Sequence, residues 1–132
     1  MAYVFLIADD EPALRTVLSL ALKMEGHTVE AVIDGQEVMD VLNGGLMPNA
    51  VIVDNHMPRK SGIEVCREIR SNSKWDAVAL MLLTADEDEK IRNKAKASGA
   101  DAIIPKALKN SELRDRIRET LDKKRENQSD QH

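Results

Sequence analysis

The chain has 132 residues, 42% hydrophobic and 32% charged, with a formal net charge of −4 and one cysteine, Cys66. That length suits one domain, the acidic balance argues against a basic nucleic-acid-binding face, and no apolar run approaches the ~18 residues of a membrane span. A lone cysteine forbids an internal disulfide and fits a reducing cytoplasm.

The apolar opening, residues 3–8, has no basic segment before it and no small-residue cleavage site after it. It reads as a buried strand and not as a signal peptide. Pro12 can begin a helix, because its missing N–H would have no partner there. Leu14, Val17, Leu18, Ala21 and Leu22 then fall on one helical face, and Gly26 stops the run. A second strand over 28–32 ends near Asp34-Gly35 in what reads as a plain turn. Residues 36–42 form the second helix, closed by Gly44-Gly45. Residues 50–53 are the third strand and 62–70 the third helix, with Cys66 packed among Ile63, Val65 and Ile69 as a small buried thiol. The fourth strand spans 78–83, with Trp75 before it, packed or partly exposed and away from any site. The fourth helix starts near Asp86, with Glu89 as its capping-box partner, and stops at Gly99. Residues 102–104 are the fifth strand. The fifth helix runs from about 111 to 123, with Leu113, Ile117 and Leu121 on one face. Lys123-Lys124-Arg125 reads as a solvated helix end, and the polar stretch that follows as disordered. The division expected is one domain over 1–122 and a polar tail over 123–132.

Strands alternating with helices predict an α/β fold, a doubly wound five-stranded parallel sheet with five helices in three layers. Ligands of such sheets bind outside the carboxyl ends of the strands. Asp9-Asp10-Glu11 follows the first strand, Asp54 the third, Thr84 the fourth and Pro105-Lys106 the fifth. Clustered carboxylates repel one another unless a cation intervenes. Mg2+ takes oxygen ligands and pairs one or two carboxylates with a phosphate. With a lysine and a small hydroxyl beside them, these residues are the parts that phosphoryl transfer to a carboxylate needs. Each also has a plainer reading: Asp10 as a cap of the first helix, Asp54 as a turn residue, Thr84 as a helix cap and Lys106 as a surface lysine. Their joint placement on one edge favours the site.

The segments IADDEPALR, IVDNHMPRKSGIEVCREIR, LLTA and GADAIIPKALKNSEL, in that order, resemble response-regulator receiver domains over about residues 2–122. The resemblance implies strand order 2-1-3-4-5 in a flavodoxin-like sandwich. It implies Asp54 as phosphoacceptor, Thr84 as switch hydroxyl and Lys106 as the lysine that bonds the phosphoryl group. Asp9, Asp10, Asp54 and the backbone carbonyl of His56 are implied as the Mg2+ site, Asp10 being the more direct ligand. It further implies a sensor histidine kinase or phosphotransfer protein as donor, and a domain that catalyses only its own phosphorylation and dephosphorylation. The downstream target is expected to be a protein, reached through the face of helix 4, strand 5 and helix 5, with no direct nucleic acid and no membrane; a weak homodimer is left open. Two positions depart from the family pattern. Ile103 stands where an aromatic residue is usual, and Ala107 follows the lysine where proline is usual. A phosphorylation-independent interaction module of the same fold, and an aspartyl-phosphate phosphatase, are the rival readings.

Overall fold

The computed structural model describes residues 2–85 and 88–129. In chain order its elements are β1 (Val4–Ala8), α1 (Pro12–Met24), β2 (Thr28–Val32), α2 (Gly35–Asn43), β3 (Ala50–Asp54), α3 (Gly62–Arg70), a 3-10 turn (Ser73–Trp75), β4 (Ala79–Thr84), α4 (Glu89–Ala97), β5 (Ala102–Pro105) and α5 (Asn110–Ser129). The strands form one sheet in the order β2-β1-β3-β4-β5, with every neighbouring pair parallel. The alternation read from the sequence therefore resolves into the expected doubly wound fold.

Successive strand residues point to opposite faces, so each strand feeds two cores. Phe5, Ile7, Ile52, Met81 and Leu83 pack against Leu18 and Leu22 of α1 and Leu113, Ile117 and Leu121 of α5. Leu6, Val51, Val53 and Leu82 pack against Val38 and Leu42 of α2, Val65 and Ile69 of α3, and Ala95 of α4. β3 and β4 are buried along their whole length. Covered on both sides, they carry apolar residues at successive positions and not alternate ones, up to Asp54 and Thr84 at their carboxyl ends. Each large side chain there contributes about 1.5–3 kcal/mol by leaving water.

Three expectations change. Val17, placed on the buried face of α1, is 43% exposed; Leu18 and Leu22 carry the contact instead. Among the described residues Asp88 caps α4, its side chain accepting from the Lys90 amide at 2.8 Å, while Asp86 lies outside them. The stretch from Lys123 onward, expected as a disordered tail, continues α5 to Ser129. Its side chains anchor it: Lys124 to Asp101 at 3.2 Å, Arg125 to the Tyr3 hydroxyl, and Gln128 to the Ala77 carbonyl at 2.9 Å. Lysine, arginine, glutamate and glutamine are good helix formers, so an unpatterned polar run can extend a helix that is already nucleated. No helix among the described residues is long and apolar enough to cross a membrane.

Candidate functional site at the carboxyl edge of the sheet

β1 and β3 are neighbours with Ala8 opposite Val53, so the residues that follow them, Asp9 and Asp54, reach the same edge. Both are buried, at 2% and 1% exposure. β4 and β5 pair with Thr84 opposite Pro105, and the Lys106 amide donates to the Thr84 carbonyl at 3.0 Å. That register sets Lys106 at the end of β5, from where its side chain crosses to β3. Its Nζ lies 2.8 Å from Asp54 Oδ2, 2.8 Å from Glu11 Oε1 and 3.6 Å from Asp9 Oδ2. No described peptide bond is cis, so the chain carries Lys106 to Asp54 through a trans bond to Ala107. Thr84 is buried at 8% exposure.

Backbone amides take the other carboxylate oxygens. Asp9 Oδ1 accepts from the Glu11 amide at 2.9 Å, and Asp54 Oδ1 from the His56 amide at 3.3 Å. The Asp9 carbonyl is held by Arg15 of α1 at 2.6 Å. Asp9 Oδ2 is buried and makes no hydrogen bond. Burial raises the pKa of Asp9, opposed by the Glu11 amide and reinforced by the charge of Asp54. Burial works the other way on the Lys106 ammonium, but its hydrogen bonds to Asp54 and Glu11, with the charges of Asp54 and Asp9, outweigh that, and its pKa is raised.

Carboxylate oxygens of Asp9, Glu11 and Asp54 lie within 4.8 Å of one another, close enough to share a metal ion. The buried, unbonded oxygen of Asp9 and an all-oxygen donor set fit a hard cation. Asp10, expected as the more direct ligand, is exposed and outside this group, and the cap of α1 is Glu11. The chain bends at Asp10: Asp9 is buried, the Asp10 side chain is left exposed, and the exposed Glu11 side chain reaches Lys106. Glu11, read from the sequence as the third acid after β1 and not as a ligand, brings a carboxylate oxygen into this group. His56 offers its backbone to the site, and its residue is exposed.

Trp75 and Cys66, given plain readings from the sequence, are both buried, Trp75 at 3% exposure. His27 is a packed residue, accepting from the Tyr3 amide at 3.0 Å and stacked on the Tyr3 ring. Burial pushes the Cys66 thiol up to about 12, which leaves it unreactive at neutral pH.

The sequence model of the response regulator receiver domain matches residues 5–118, and the chain belongs to that family, the receivers of two-component signalling. Among curated proteins it is 37% identical over 116 residues to response regulator MprA of Mycolicibacterium vanbaalenii (88% of this chain, 49% of that protein). It is 36% identical over 121 residues to response regulator MprA of Mycobacterium bovis (92% and 51%). The chain thus spans about half the length of the curated relatives it matches. Among solved structures, the signal receiver domain of a signal transduction histidine kinase from Syntrophus aciditrophicus superposes with a TM-score of 0.85 at 27% identity, covering 91% of this chain and 90% of that one. Chemotaxis response regulator CheY4 of Vibrio cholerae has the same fold, with a TM-score of 0.83 at 23% identity over 91% and 99% of the two chains.

Proposed function

We propose that this receiver domain takes a phosphoryl group onto Asp54 from a sensor histidine kinase or phosphotransfer protein, in a Mg2+-dependent reaction in the cytoplasm, and passes the signal to another protein. The observation that carries the reading is the approach of Lys106 Nζ to Asp54 Oδ2, 2.8 Å, beside the buried and unbonded oxygen of Asp9. A lysine from β5 directed at a buried carboxylate on β3 has no need to be there for packing. It suits a nucleophile whose product carries a further negative charge.

Asp9, Asp54 and the His56 carbonyl would hold the metal, with either Asp10 or Glu11 completing the set. A Mg2+ ion held there would offset the repulsion of the acids and supply Lewis-acid polarisation of a phosphoryl oxygen. The Asp54 carboxylate attacks the phosphorus of the donor's phosphohistidine; as the aspartyl O–P bond forms the P–N bond breaks, the imidazole leaves with a proton from solvent, and Asp54 becomes an acyl phosphate. Lys106 leaves its ion pairs with Glu11 and Asp54 to bond a phosphoryl oxygen, and the Thr84 hydroxyl donates to another. The domain acts on itself and is not a multiple-turnover enzyme.

Thr84 and Lys106 also line a cavity of about 400 Å³ with Ile103, Pro105, Ala107, Arg92, Lys96 and Arg116. Movement of the two site residues therefore reshapes the α4–β5–α5 surface. No acid lines this cavity among the described residues, so an acidic stretch of the downstream protein suits it.

Labelling with acetyl phosphate and Mg2+ tests the function. Wild-type chain should incorporate about one phosphoryl group per molecule, and Asp54→Asn none. Incorporation that persists in Asp54→Asn removes the assignment. In a Mg2+ titration followed by amide chemical shifts, a loss of affinity in Asp10→Asn or in Glu11→Gln identifies the remaining ligand.

A further inference from the structure

The turn after β2 packs against the loop that carries His56, although it contributes no atom to the site. Asp34 begins α2, and its Oδ1 accepts from the Glu37 amide at 2.9 Å. Its other oxygen, Oδ2, receives two nitrogens of Arg59, Nε at 2.9 Å and a terminal nitrogen at 2.8 Å. Arg59 lies in the loop between β3 and α3, the loop that carries His56. At φ 68° it is the only described residue other than glycine in the left-handed region. An L side chain occupies that region at a cost, so something must hold it there.

The two loops also touch directly. A Cβ on Gly35 would come within 2.6 Å of the Lys60 Cβ and carbonyl oxygen. At the base of the loop, a Cβ on Gly62 would come within 2.6 Å of the Asp54 carbonyl. The Gly62 amide donates to the Asn55 carbonyl at 3.2 Å, and the Ile63 amide to Asn55 Oδ1 at 3.3 Å. The loop is thus closed at its base on Asp54 and tied at its tip to Asp34. His56, whose amide reaches Asp54 Oδ1, lies between the two fastenings.

We infer that Arg59 and Asp34 form a positioning pair that sets the His56 segment for the cation site. The inference rests on the proposed Mg2+-dependent function and adds a residue from β2's turn to it. Two substitutions isolate the pair. Asp34→Asn keeps an oxygen for the Glu37 amide and removes the charge. Arg59→Gly removes the guanidinium and relieves the left-handed backbone.

In the metal-free chain of residues 1–132, backbone amides of residues 56–60 should exchange about ten-fold faster in each variant, while those of α2 hold their wild-type rates in Asp34→Asn. Mg2+ binding, followed by amide chemical shifts, should weaken about three- to five-fold in each, as suits a half-exposed ion pair. The double variant should be no worse than either single one, and Arg59→Lys should recover part of the loss. Labelling at saturating Mg2+ should stay within about two-fold of wild type, since the pair acts on affinity and not on Asp54. Wild-type exchange and wild-type Mg2+ affinity in either variant would overturn the inference, as would strictly additive losses. A wild-type chain that binds Mg2+ but is never labelled would sink the phosphoacceptor function and leave the positioning pair to stand or fall on exchange and affinity.

Discussion

Asp9 has one oxygen bonded to the Glu11 amide and the other buried without a hydrogen bond. Its pKa is raised, first by burial and then by the Asp54 charge. An acid whose native pKa exceeds its unfolded value weakens the fold once it ionises. The penalty is absent below the unfolded pKa of about 3.9, grows as pH rises through the native value, and is complete above it. Asp9→Asn should therefore melt at a higher temperature than wild type in metal-free buffer at neutral pH. The gap should close as the buffer is acidified, and should shrink when Mg2+ is added, because the cation favours the intact acid. Melting curves in chelator and in Mg2+ across that range measure it, and a lower midpoint for Asp9→Asn in chelator would contradict it. The positions of Asp9, Asp54, Thr84 and Lys106 were legible in the sequence because counting to the end of an apolar run locates them. That the Glu11 carboxylate, and not that of Asp10, lies beside Asp9 and Asp54 was not, since it turns on the direction of the backbone at the strand exit. Nor was the pairing of Arg59 with Asp34, 25 residues apart, because it needs a left-handed arginine that no propensity anticipates.

Among the elements, α4 is held least. Ala95 is its only buried residue, and Ile91 is its one large apolar side chain, only partly buried. Its low apolar content was visible in the sequence, but its cap was not, because several acids in a row could each have served. A helix so thinly packed shifts at small cost. Beryllofluoride, a phosphoryl mimic, should therefore change amide exchange across residues 88–100 by at least about three-fold; identical protection with and without it would exclude α4 as the responding element. α3 is held in the opposite way. Arg70 at its end donates to the carbonyls of Gly99, Trp75 and Val78 and to Asp101. It gathers the approaches to β4 and β5. Arg70→Ala leaves those acceptors without their donor and should cost roughly 2–3 kcal/mol in chemical denaturation. A change below 0.5 kcal/mol, the usual size for an ordinary surface position, would show that water replaces the guanidinium. The extension of α5 past Lys123 escaped sequence reading because its anchors, Asp101, Tyr3 and Ala77, come from distant parts of the chain.

At the scale of the molecule, one sheet serves two cores and one edge serves the site. The strand order follows from the family and from right-handed crossovers, and the apolar runs of β3 and β4, unbroken up to Asp54 and Thr84, announce that both faces are covered. Trp75, the only tryptophan, lies buried just before β4, whereas Asp54 lies level with Leu83 near that strand's far end. At about 3.3 Å per residue, β4 separates the indole from the site by roughly 17 Å. Its ultraviolet emission consequently follows loss of the tertiary structure and is insulated from events at Asp54. A worker tracking phosphorylation optically has to introduce a second fluorophore near Thr84, while the native indole serves as an internal gauge of whether the protein is folded at all.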